Sequence, residues 1–219
     1  MAAGLIGGIV AGLLVAALQH VTTTPLILTA EIYESSQQIK QHLADVAEPA
    51  INPVGRTMAT SASTMALSIG YALILLATML ASGDRITSRN AALWGACAFA
   101  ATGLAPSLGL APQLPGAAET DLAGRQLWWV ATAVTTGLGL YSLLRIENRL
   151  AQASGFLLLI APHFFTPTPA SPESTAPAEL AARFAAASLV VQAISWTLAG
   201  ALAGLTYCAL TGEEKDATA

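Results

Sequence analysis

The stretch Gln19–Glu34, QHVTTTPLILTAEIYE, is where the chain leaves its first apolar segment and meets its first charges. From Met1 to Ala30 there is no Asp, Glu, Lys or Arg. An uncharged run of that length is enough for a membrane-spanning helix, which needs about 20 apolar residues. Glu31 and Glu34 then stand three residues apart, on adjoining positions of one helix face, and His20 lies at the membrane end of the preceding segment. Two readings fit these residues. They form a cation-collecting corner, or His20 is an interfacial residue and the two acids are simply solvated.

Working outward from that corner, the composition is that of a membrane protein. Apolar residues make up 54% of the chain and charged residues 10%, where a soluble domain carries about 25% charged. The mean hydropathy is +0.61. A chain of 219 residues supplies about six spans plus their connections, with no room for a separate soluble domain. The expected fold is therefore all-α, a polytopic integral membrane helical bundle forming a single transmembrane domain over 1–219. It has about six apolar segments, making five to six spans, and one amphipathic interfacial helix.

The formal charge of -4 is spread along the chain without a basic patch, which excludes nucleic acid as a partner. Cys97 and Cys208 sit inside apolar runs with no Cys or His at ligand spacing, so packing accounts for them. No Lys or Arg precedes the first apolar run, so it reads as a retained span and not as a cleaved leader.

In chain order the spans are expected at about 3–21, 57–82, 90–105, 126–144, 148–165 and 182–208. Gly4, Gly8 and Gly12 recur every four residues and give the first span one smooth face for close helix packing. Thr24 and Pro25 read as an N-cap and first helical position. Over 25–48 the pattern is amphipathic, with Leu28, Ile32, Ile39, Leu43 and Val46 on one side and Glu31, Glu34, Gln38, His42 and Asp45 on the other. A helix lying on the membrane surface, polar side to water, is expected there. Trp128, Trp129 and Tyr141 stand where interfacial aromatic residues belong. The fifth segment is short: its apolar core before Pro162 reaches about 18 Å, so it must recruit Glu147–Arg149 or Phe164 and Phe165 to cross a core of roughly 30 Å, or it inserts only part way. The tail Glu213–Ala219 is expected to fray.

The second half contains a repeat. Leu104-Ala105-Pro106-Ser107 matches Ile160-Ala161-Pro162-His163, and Asp121-Leu122-Ala123-Gly124-Arg125 matches Glu179-Leu180-Ala181-Ala182-Arg183. Both copies end an apolar segment in Ala-Pro, cross a Pro-rich loop and open the next span with an acid four residues before an Arg. Two helical hairpins of the same orientation in tandem would produce this, and so would a shared interfacial folding signal. Asp121 with Arg125 and Glu179 with Arg183 read first as helix-start signals, and as binding groups only if the Arg lie within the hydrocarbon. The charged turns Asp84–Arg89 and Arg145–Arg149 hold two Arg each, which assigns them to the cytoplasmic side and leaves the Pro-rich loops and the Gln19–Glu34 corner outside.

No nucleotide-binding glycine loop, HExxH or nucleophile elbow is present, so neither an ATP motor nor an enzyme is indicated. His20 and His163 would share a side with Glu31 and Glu34 in a six-span topology. Imidazole with carboxylate is a suitable ligand set for a first-row divalent ion. The rival reading is a structural or assembly subunit of a larger membrane complex, since little charge lines the spans.

QHVTTTPLILTAEIYE, the LGLAPQLPG and DLAGRQLWWVATA stretches, and RIENRLAQASGFLLLIAPHFF followed by PAELAARFAAASLVVQAISW together resemble the cobalt transporter subunit family CbtA over nearly the whole chain. The resemblance implies a bacterial inner-membrane protein of about five spans that takes up cobalt, as transported substrate, for cobalamin synthesis. It implies no organic cofactor. It also implies a small one-span partner, CbtB, with a His-rich end. The family pattern carries onto His20, Glu31, Glu34 and Pro162-His163; the residues of the repeat, Asp121, Arg125, Glu179 and Arg183, stand beside them as second-tier candidates. Relatives often place a further His or Gln where this chain has Thr168, so a ligand there is missing.

Overall fold

The computed structural model describes residues 1–41, 53–117, 121–168 and 174–212, and no strand occurs among them. The helices are α1 (Ala2–Val21), α2 (Thr23–Gln41), α3 (Pro53–Ala81), α4 (Ser88–Phe99), the short α5 (Ala105–Ser107), α6 (Leu122–Arg145), α7 (Arg149–Ile160) and α8 (Ala178–Thr211). A π turn, Ala100–Leu104, joins α4 to α5, and a 3-10 turn, Ala161–Phe165, follows α7. His42, Leu43, Asp45 and Val46 of the expected surface helix, and the tail 213–219, lie outside the described residues.

Among the described residues, four helices are long and apolar enough to cross a membrane: Ala2–Val21, Val54–Ala81, Leu122–Arg145 and Ala178–Thr211. That corrects the expected five to six. The segments at 90–105 and 148–165 fall short because neither is a continuous α-helix. α4 and α7 each run 12 residues, about 18 Å. Proline ends both. Pro106 has no N–H to continue the ladder, and the backbone one turn earlier widens into the π turn, where Ala105 N–H reaches Ala100 O. At Pro162 the same problem is met the opposite way, by tightening into a 3-10 turn.

The chain forms two compact units. The first comprises Met1–Pro25, Ile39–Ala96 and Val190–Ala219. Its α1 and α3 pack closely, and the glycines show how: a Cβ on Gly4 would lie 2.7 Å from Leu73 Cδ2, one on Gly8 2.5 Å from Ile69 Cα, and one on Gly12 2.6 Å from Met65 Cα. Partner numbers fall as glycine numbers rise, so the two helices are antiparallel. The four-residue glycine face of α1 is thus buried as expected, while Leu5, Ile9 and Leu13 stay exposed for lipid.

The second half of α8 meets α1 and α4 in the same manner. Gly7 approaches the Ala203 backbone, and Thr206 Oγ1 donates to Ala3 O at 2.8 Å. On α4, Gly95 approaches the Trp196 carbonyl, Gly200 the Ala91 carbonyl and Gly204 the Thr87 carbonyl. Both registers are again antiparallel. Taken in sequence, α1, α3, α4 and α8 alternate in direction, so Met1 and the end of α8 lie on one side. The ring of Tyr71 stacks on Trp196, with centroids 3.8 Å apart. A left-handed Gly83 (φ 68) ends α3, with Asp84 N–H returning to Met79 O, and Asp84 Oδ2 then accepts from Trp94 Nε1 at 2.9 Å.

The second unit comprises Leu26–Gln38 and Cys97–Leu189. Its centre is the α6–α7 hairpin. Asn148 caps α7 by accepting from Leu150 and Ala151 N–H. Gly139 and Gly155 face each other, and Ser142 Oγ donates to Ala151 O at 2.6 Å. The returning leg stays beside α6 through the 3-10 turn, where Pro162 O accepts from Trp128 Nε1 at 2.9 Å. A separate cluster joins Ala30 of α2 to Leu114 and Ala176 of the two Pro-rich connections. Those connections also touch through Thr175 N–H and Gly116 O, at 3.0 Å.

Candidate functional site

His20 occupies the last turn of α1, in the first unit, and is exposed. The break that follows falls at Thr22, whose hydroxyl donates to Leu18 O at 2.7 Å, and α2 starts at Thr23. The helix start is therefore one residue earlier than the expected cap at Thr24. Pro25 falls in the first turn, where its missing N–H goes unused. Beside His20, Gln19 Oε1 accepts from Thr64 Oγ1 at 2.7 Å and ties the end of α1 to the hydroxyl-rich start of α3.

Glu31 and Glu34 belong to the second unit, and α2 carries them differently from the surface-helix expectation. Leu28 and Ile32 are the exposed side chains, at 45% and 66%, while Glu31 and Glu34 are half-buried. Ala30, just before Glu31, is fully buried and Ile27 packs beside it. Thr23, Ile27, Ala30 and Glu34 recur at spacings of four, three and four, so they share one face. The acids thus accompany the packed face, and the larger apolar residues point away from it.

His163 lies in the 3-10 turn, half-buried, with its ring edge-on to Trp128 (centroids 6.1 Å, interplanar angle 70°). Trp128 is itself 6% exposed, in contrast to Trp129 at 43%. It is a core residue, packed against protein. Both Ala-Pro ends of the repeat close on it: a Cβ on Gly109 would lie 2.6 Å from its Cη2, and Pro162 accepts its N–H. The backbone around His163 is held by that bond and by Thr166 Oγ1 donating to His163 O at 3.2 Å.

The second-tier residues behave as helix-start devices. Asp121 is the N-cap of α6, accepting from Gly124 N–H at 2.7 Å. Glu179 lies in the first turn of α8 and pairs with Arg183 at 2.7 Å, with both side chains largely exposed. Among the described residues no three His, Cys, Asp or Glu side chains gather as a metal-holding group. The sequence reading passed over Thr132 and Thr136, which are buried on α6 in line with Trp128 and Gly139. Their spacing of four, four and three from Trp128 was the available signal.

No curated protein and no solved structure matches the chain. The family model for CbtA, described as a probable cobalt transporter subunit, matches residues 1–207. That family is one of transporter subunits and not an enzyme class, and it agrees with four membrane-length apolar helices. The chain belongs to the CbtA family of cobalt transporter subunits.

Proposed function

We propose that this chain is the multi-pass subunit that carries cobalt inward across a bacterial inner membrane, in support of cobalamin synthesis. Glu31, Glu34 and His163 of the second unit would each offer a metal ligand, and His20 of the first unit would offer another of its own. The observation that carries the reading is the placement of Glu31 and Glu34, half-buried on the packed side of α2 while Leu28 and Ile32 are exposed. Carboxylates held beside a packed helix face in an apolar protein are a natural place to meet a charged substrate. His163 adds an imidazole, whose nitrogen suits a first-row divalent ion better than carboxylate alone. Its backbone is fixed through Pro162 and Trp128.

A ligand set drawn from scattered positions binds loosely, which suits passage better than storage. A His-rich one-span partner of the CbtB kind would raise local imidazole density and deliver metal to the acids. Asp121 as the cap of α6 and the Glu179–Arg183 pair in the opening turns of α8 serve helix starts, and Arg125 stands with them as a second-tier residue outside the ligand set.

The test is cobalt accumulation in cells expressing the chain with its partner. His163→Ala combined with Glu34→Gln is expected to lower accumulation at unchanged protein abundance. Uptake equal to the parent would rule these residues out. Co-purification with a large stoichiometric complex and no cobalt binding would favour an assembly subunit instead.

A further inference from the structure

The helical threonines of this protein show a common habit. Thr78, Thr102, Thr135, Thr197, Thr206 and Thr211 each donate the side-chain hydroxyl to the carbonyl four residues back. This local bond is how a hydroxyl is satisfied inside an apolar helix. Thr132 and Thr136 depart from it. Their residues are 0% and 3% exposed, and neither hydroxyl oxygen has a hydrogen-bond partner. A buried polar atom without a partner is unfavourable, so two of them one turn apart require an explanation.

Their position supplies one. On α6 the buried face reads Trp128, Thr132, Thr136, Gly139. At one end Trp128 holds the His163 turn, and at the other Gly139 meets Gly155. From Trp128 to Thr136 is eight residues, about 12 Å along the helix axis. The π turn Ala100–Leu104 also packs on α6. π turns disturb the regular carbonyl pairing of a helix and recur where a ligand is handled.

We propose that the Thr132 and Thr136 hydroxyls, with the π turn packed on the same helix, receive a water-bearing metal cation in transit, by accepting hydrogen bonds from its bound water. The proposal rests on the transport reading above and extends it inward from His163. Neutral hydroxyls suit the task. They replace bulk water around a hydrated ion without the tight hold that a charged ligand would exert. No bond to the metal is required, and no proton is transferred.

The experiment compares cobalt accumulation, membrane abundance and thermal melting for the parent, for Thr132→Val with Thr136→Val, and for Thr132→Ser with Thr136→Ser. Valine keeps the shape and removes the hydroxyl; serine keeps the hydroxyl and removes the methyl. The valine pair is expected to accumulate about ten-fold less cobalt while melting no lower than the parent, since only unpartnered oxygens are lost. The serine pair is expected to stay within about two-fold of the parent, because it retains the groups that meet the ion's water. Parent-level uptake in the valine pair, equal losses in both pairs, or loss of the valine pair from the membrane would each overturn the inference. A parent no better than cells lacking the chain would overturn the transport reading itself, a result separable from the other three.

Discussion

Trp128 Nε1 donates to Pro162 O at 2.9 Å across 34 positions of sequence, binding the start of α6 to the turn that carries His163. The bond is buried, and it joins a residue beside one Ala-Pro end of the repeat to the proline of the other. Trp128→Phe removes the donor and leaves the Pro162 carbonyl unsatisfied. The expected loss is about 1–3 kcal/mol of stability, measured by thermal unfolding in detergent, with cobalt uptake reduced at matched abundance.

Two glycine substitutions should separate close packing from helix propensity. Gly8→Ala places a Cβ 2.5 Å from Ile69 Cα and is expected to cost about 1–3 kcal/mol by forcing α1 from α3. Gly70→Ala meets nothing within 4 Å and should be neutral or stabilise α3 by up to about 1 kcal/mol. Equal effects in a melting experiment would show that the α1–α3 register is wrong.

The two helix-start acids differ in kind. Asp121→Ala deletes an N-cap bond and is expected to cost about 1 kcal/mol. Glu179→Gln breaks an exposed pair, which is worth less than about 1 kcal/mol in solution. Neither change should alter cobalt uptake per molecule; a selective loss of uptake would return them to the substrate path.

The antiparallel registers of α1, α3, α4 and α8 predict that reporters fused before Met1 and after Gly212 report the same side of the membrane. Opposite sides would contradict the Thr206–Ala3 bond and the approach of Gly7 to Ala203.

What could be read in advance was local. Gly4, Gly8 and Gly12 declare their face because the four-residue period is itself the geometry of close packing. Asp121 reads as a helix start for the same reason, since its bond spans three residues. The α2 pattern shows two faces but cannot say which meets protein, because lipid and protein interior are equally apolar. Leu28 and Ile32 could serve either. The excess of expected spans has a similar origin: hydropathy measures an apolar run, while Pro106 acts upstream of itself and divides that run into α4 and a π turn. Trp128 and Trp129 are adjacent and chemically identical, and only tertiary contact makes one core and the other surface.

The bond from Thr206 to Ala3 spans 203 positions, so the cover for the Gly7 side of α1 is synthesised long after α3 has been made to cover the Gly8 side. Until then the newly inserted α1 has only α3 to shelter it. Chains released before Ala203 would leave the Gly7 side of α1 uncovered in the bilayer, a ready mark for membrane quality-control proteases.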